Sequence, residues 1–260
     1  RFGPPERLSD IAIWVPDEGV FPSRVRVLQE EGGWIYEIDS WGRTLRRKPG
    51  AYFVETLEVP IPPGTDPEKV EFDPPDLPAR YLQGQTDEAR MLARLERAKQ
   101  RQCVFGKTGG PFLRTVFVRG EAQFLMDIAS DPGLASALAE KMGQHLTAVG
   151  VEQIRRWSLQ DTGIWIYDDM ACNAGPMFRP ASFEKILLPV YRDMIRAYKA
   201  AGARYVFLHS DGDIRLLVDM LVDAGIDGLN PLERRAGMDP FALRKAYPRL
   251  ILTGGMDNTD

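Results

Sequence analysis

The chain reads as an α/β protein in which short buried strands alternate with amphipathic helices, behind an irregular, partly β lobe. Three observations carry this reading. Ile164-Trp165-Ile166-Tyr167, Tyr205-Val206-Phe207-Leu208 and Leu250-Ile251-Leu252-Thr253 are apolar runs too short for helices, the pattern of strands buried on both faces. Between them lie stretches with helical apolar spacing, and that alternation implies βαβ units on a parallel sheet. Residues 1–85, by contrast, are rich in proline, glycine and aromatics and sustain no helix period. Periodicity alone leaves an open doubly wound sheet and a closed barrel as alternatives.

The elements follow in order. Trp34-Ile35-Tyr36-Glu37-Ile38 and Ala51-Tyr52-Phe53-Val54-Glu55 are β-prone runs separated by Gly42 and Pro49-Gly50, which predicts paired strands. Seven prolines between Pro60 and Pro78 exclude a helix or central strand there and predict an extended connector. Residues 1–85 are thus the lobe and connector, and 86–260 the α/β portion of the same domain. Within it, one long helix is expected from Pro132 to about Trp157. A second runs from Ser182 to Gly202, where Phe183, Ile186, Leu187, Val190, Tyr191, Met194, Ile195 and Tyr198 form an apolar stripe; Ser182 is the expected N-cap, Pro189 a kink and Gly202 the C-cap. Ile214, Leu217, Val218, Leu221 and Val222 repeat the spacing before Gly225. A weaker strand is expected at Gly228-Leu229-Asn230.

With 260 residues and 44% hydrophobic content, the chain can bury a sizeable core, which excludes a disordered protein. A net charge of −4 supplies no basic surface for nucleic acid or an anionic membrane. Two cysteines, Cys103 and Cys172, cannot build a disulfide framework or a four-thiolate zinc site. No apolar run approaches the roughly 18 residues of a membrane span, so a cytoplasmic protein is expected.

In either α/β architecture ligands gather at the carboxyl ends of strands. Here the strands run into Asp168-Asp169, into His209-Ser210-Asp211-Gly212-Asp213, into Asn230-Pro231-Leu232-Glu233 and into Gly254-Gly255-Met256-Asp257-Asn258. Each has a plainer reading. Asp168-Asp169 could cap a helix, His209 could be a satisfied structural histidine, and Gly254-Gly255 could only make a tight turn. His145, inside a helical pattern, reads as structural. The adjacent His-Ser-Asp cannot form a hydrolase triad, because neighbouring side chains diverge. Gly106-Lys107-Thr108 resembles the tail of a phosphate loop, but Arg101 stands where its first glycine belongs.

The order of these motifs, with Asp39-Ser40-Trp41-Gly42, Arg179-Pro180-Ala181-Ser182-Phe183 and Pro189-Val190-Tyr191, resembles the uroporphyrinogen decarboxylase superfamily in its decarboxylase-like and corrinoid-methyltransferase-like branch. The resemblance runs from about residue 34 to 260. It implies a (β/α)8 TIM-type barrel with its substrate in the C-terminal mouth. Eight βα units take roughly 240 residues beyond the lobe, whereas about six strands are visible between Cys103 and Thr253, so the barrel is expected to be incomplete in these residues.

The resemblance further implies one of two activities. Methyltransferase-like members move a methyl group to or from a corrinoid, often with zinc; decarboxylases act on uroporphyrinogen-type tetrapyrroles without a cofactor. An Arg-Gln-Ala-Gly-Arg segment, expected of the authentic decarboxylase, is absent from the 260 residues. The zinc enzymes' His-x-Cys pair falls on His209-Ser210-Asp211, where Asp211 replaces the thiolate; a carboxylate selects zinc less well, so a metal-free site is supported as readily. The methyltransferase-like reading leads, with Asp168, Asp169, His209, Asp211 and Asp257 as catalytic candidates, His209 and Asp211 as metal ligands, and Asn173, Ser210, Asn230, Glu233, Gly254 and Gly255 as substrate contacts. A corrinoid, as methyl donor or acceptor, and a corrinoid protein are the implied cofactor and partner. A third reading is a non-catalytic module binding a corrinoid or tetrapyrrole, in which Trp34, Tyr36, Trp41, Tyr52 and Phe53 form an interface instead of a satellite core.

Overall fold

A computed structural model describes residues 10–51 and 53–256. The first element among the described residues is a strand, β1 (Ile11–Trp14), inside the stretch that reads as irregular. The following loop is organised by the buried Arg80, whose guanidinium donates to the carbonyls of Asp17, Gly19, Asp73 and Pro74. Strands β2 (Arg26–Glu31), β3 (Trp34–Ile38), β4 (Thr44–Arg47) and β5 (Glu55–Glu58) then form an antiparallel sheet in that order. The strand expected at Ala51 begins only at Glu55: the chain turns at Lys48, whose carbonyl accepts from Ala51 N at 3.0 Å, and pairing with β4 starts at Glu55. Tyr52 lies outside the described residues. Trp41 is buried against Phe117 at 5.4 Å and joins the main core, while Phe53 is 83% exposed.

The proline-rich connector is extended apart from short 3-10 turns at Pro67–Lys69 and Pro78–Tyr81. Helix α1 (Glu88–Lys99) leads to β6 (Cys103–Gly109), and helices α2 (Pro111–Arg119), α3 (Glu121–Ser130) and α4 (Pro132–Arg156) follow. The long helix matches its expected bounds because Asp131 caps it, accepting from Leu134 N at 3.1 Å, and Pro132 occupies the first turn. Next come β7 (Gly163–Tyr167) and a small hairpin, β8 (Ala171–Cys172) with β9 (Gly175–Pro176).

The expected helix from Ser182 is built differently. Arg179, with extended backbone, is its N-cap; Ser182 makes no capping bond and sits inside a first turn, α5 (Pro180–Ser182). The chain passes through a π turn at Phe183–Leu187 into α6 (Leu188–Ala200). Pro189 lies inside this continuous helical run, directly after the π turn, and the irregularity expected at the proline takes the form of that turn. After β10 (Tyr205–His209), helix α7 (Val218–Ala224) begins later than Ile214 and ends at Gly225 in the left-handed conformation. Strand β11 (Gly228–Asn230), helix α8 (Pro240–Ala246) and strand β12 (Ile251–Leu252) complete the described chain.

Six strands form one parallel sheet in the order β1-β6-β7-β10-β11-β12. The order follows the chain without reversal. Barrels wind this way, whereas a doubly wound sheet reverses at a switch point. Among the described residues β1 and β12 are the two edges and do not pair with each other, so closure is not formed within them. One face of the sheet buries Ile164, Ile166, Val206, Leu208 and Leu229 under the helices. The other carries Phe105, Trp165 and Phe207, with Trp165 and Phe207 stacked at 4.8 Å. No helix among the described residues is long and apolar enough to cross a membrane.

Candidate functional site

Successive residues of an extended strand point to opposite faces, and this alternation builds the site. Lys107, Tyr167, His209 and Asn230 lie on the face of the aromatic floor, one layer nearer the strand ends, and Asp169 and Asp211 continue that face beyond the strands. The Tyr167 and His209 rings stack at 4.4 Å with an interplanar angle of 20°. His209 Nδ1 meets Asn230 Oδ1 at 2.6 Å. His209 Nε2 faces Asp169 Oδ1 at 3.8 Å and Asp211 Oδ1 at 3.7 Å. The ligand atoms of these three residues all lie within 4.8 Å of one another.

The backbone holds the two carboxylates together. Asp211 N donates to Asp169 Oδ1 at 3.0 Å, and Gly212 N to Glu233 Oε2 at 2.8 Å. Asp211 Oδ1 is buried with no hydrogen-bond partner. Burial, then the negative charge of Asp169 and more distantly of Glu233, push the Asp211 carboxyl above its ordinary value, against an opposing pull from His209. Two half-exposed carboxylates converge on one imidazole nitrogen, and the one oxygen among them that is buried, Asp211 Oδ1, has no donor, an arrangement that a positive charge would relieve.

Other residues singled out in the sequence support this cluster from outside it. Asp168 faces the helices: it has no exposed surface and accepts from Phe112 N at 3.1 Å, Leu113 N at 2.6 Å and the Tyr191 hydroxyl at 2.6 Å. It caps the start of α2, and Gly110 leaves the room, since a Cβ there would lie 2.3 Å from Asp168. Burial pushes the Asp168 carboxyl up to about 6 despite those donors. Ser210 is buried and ties loops together, its N donating to Asn230 O at 3.0 Å and its Oγ accepting from Met170 N at 3.2 Å. Gly254 has φ +107, and a Cβ on it would lie 1.8 Å from the Pro231 carbonyl oxygen; Gly255 N donates to that oxygen at 2.8 Å. Asn173 is exposed at the turn of the β8–β9 hairpin, which packs on the loop after His209 through Asp213 N donating to Cys172 O at 3.0 Å. Asp257 lies outside the described residues. His145 is buried in α4, its Nε2 3.0 Å from the Glu18 carbonyl oxygen, the structural place its helical setting suggests.

Sequence reasoning missed a second charged cluster on the same rim. Glu18, in the loop after β1, is buried, with Oε1 2.7 Å from Lys107 Nζ and 2.5 Å from Arg114 Nη2, while Oε2 accepts from Gly109 N at 2.5 Å. Burial raises the Glu18 carboxyl, but Arg114 and Lys107 outweigh it and hold the group below its ordinary value. Burial likewise lowers Lys107, with Glu18 opposing. The available signal was Lys107, an ionisable residue within an apolar strand. A cavity of about 700 Å³ lies elsewhere, between α4 and α6 on the outer surface, and touches none of these residues.

A one-way parallel sheet of six strands with polar residues converging at its C-terminal strand ends is an α/β scaffold whose strand order fits a barrel. The family model described as uroporphyrinogen decarboxylase (URO-D) matches residues 47–260, and the chain belongs to that family. A methyltransferase from Methanosarcina mazei has a similar structure, with a TM-score of 0.50 at 13% sequence identity, over 81% of this chain and 67% of that one. At that identity the likeness speaks to fold. No curated protein matches the chain.

Proposed function

We propose that this chain is a methyltransferase-like member of the URO-D family, moving a methyl group to or from a corrinoid, with a divalent cation held by Asp169, His209 and Asp211. The observation that carries the cation is the free Nε2 of His209 facing two carboxylate oxygens, one of them buried without a partner. The residues fit such an ion through one nitrogen and two oxygen donors. Cys172 is exposed on the β8–β9 hairpin, and its thiol faces Gly175 O at 3.5 Å, so the donor set is oxygen-rich and suits several divalent ions besides zinc. When bound, the cation would lower the pKa of an acceptor thiol or water.

The chain's own groups prepare the site. Tyr167 supports the His209 ring, and Glu233 fixes the Gly212 turn. The aromatic floor of Phe105, Trp165 and Phe207 excludes water below. The methyltransferase from Methanosarcina mazei shares this fold, and the proposal extends its class of reaction to this chain. In the cofactor-free decarboxylase reading a carboxylate would accept from pyrrole N–H groups; Asp168, one candidate for that role, is already committed to three donors. Incubating the purified protein with methylcobalamin and a thiol should give thiol-dependent loss of the methylcobalamin spectrum, abolished in His209→Ala. Release of carbon dioxide from uroporphyrinogen, with no change in methylcobalamin, would overturn the proposal.

A further inference from the structure

Which nitrogen of His209 carries the proton decides whether the ring can act as a ligand, and that choice is written in its neighbours. Asn230 Nδ2 donates to the Thr253 carbonyl oxygen at 3.3 Å. A carbonyl oxygen only accepts, so the amide's NH2 must face it and its Oδ1 must face His209. That oxygen also only accepts, so His209 Nδ1, at 2.6 Å, must be the donor. Thr253 is pinned in turn, its N and its hydroxyl both donating to Leu229 O at 3.0 Å. The polarity of the whole chain is therefore fixed from strand β11 outward to the imidazole.

We infer that Asn230, oriented by the Thr253 carbonyl, is a positioning residue that locks neutral His209 as the Nδ1–H tautomer, so that the Nε2 lone pair faces Asp169 and Asp211 before any ion arrives. Without this lock the ring would place its proton on Nε2, where two carboxylate oxygens at 3.7 and 3.8 Å wait to attract it. The carboxylates alone thus favour the tautomer that blocks metal binding, and Asn230 opposes them. An amide does this without adding a further negative charge beside Asp169, Asp211 and Glu233. Stacking on Tyr167 fixes the plane of the ring but is indifferent to tautomer, so the choice rests on residue 230.

The inference rests on the cation reading but is tested apart from it. Long-range nitrogen–proton NMR of the metal-free protein, above the ordinary histidine pKa, reads the tautomer directly, with His209→Gln assigning the signal. Wild type should show Nδ1 protonated and Nε2 bare. Asn230→Asp, which keeps the acceptor, should match wild type. Asn230→Leu and the smaller Asn230→Ala should move the proton to Nε2 and weaken Zn2+ or Co2+ binding, measured by calorimetry, by about 10–100-fold. Wild type with Nε2 protonated, or Asn230→Ala with an unchanged tautomer, overturns the inference. Failure of wild type to bind either ion, with the tautomer as stated, overturns the cation reading and leaves the lock standing.

Discussion

His145 shows how a residue with no part in the chemistry can still govern the molecule's response to pH. Its Nε2 faces a backbone carbonyl, which makes Nε2 the donor of a neutral ring. Burial, opposed only in part by that carbonyl and by acidic neighbours, depresses the imidazole to about 4. In the unfolded chain it would titrate at about 6.5. The unfolded state therefore binds the extra proton first, so stability present above about pH 6.5 is lost as pH falls toward 4, by about 3 kcal/mol. Urea denaturation at pH 7.5 and 4.5 should show this loss in wild type and a smaller one in His145→Gln; equal losses would contradict the assignment. The structural place of His145 was legible from its position within a helical repeat, and the placement of His209 beside the other strand-end residues from its position at a strand end. Asp168 was not separable from Asp169, because a dipeptide after a strand does not announce which carboxylate meets the helices.

Among the elements, those with a sustained period or a clear stop were legible. The long helix α4 has Asp131-Pro132 at its start, and β7 and β10 are unbroken apolar runs. Strand β1 escaped because four residues ending at Val15-Pro16 carry too little pattern, and its crossover to β6 contains the entire lobe. Strand β2 escaped because every residue in it is exposed, which leaves no alternation to read. The loop after β12 illustrates a local requirement: Gly254 holds φ +107 with the Pro231 carbonyl where a side chain would begin. Gly254→Ala should cost about 1–3 kcal/mol and lower the melting temperature; an unchanged melting temperature would show that the loop relaxes without penalty.

For the whole molecule, the Glu18, Lys107 and Arg114 cluster joins the loop after β1 to strand β6 and helix α2, and so ties the lobe to the sheet. Partners 89 residues apart are invisible to a local pattern. Glu18→Gln would leave two buried cations without a counter-charge and should destabilise the fold by about 3–5 kcal/mol, measured by chemical denaturation; a neutral outcome would mean that solvent reaches the cluster. The cluster of Asp169, His209 and Asp211 is likewise assembled from two crossovers of the sheet, and only its place at strand ends was legible beforehand. The proposed function requires these three residues to hold one divalent cation. Calorimetric titration of metal-stripped protein with Zn2+ should give a single site per chain in wild type and binding at least about a hundredfold weaker in His209→Ala. Absence of binding in wild type, or equal affinity in the variant, would contradict it.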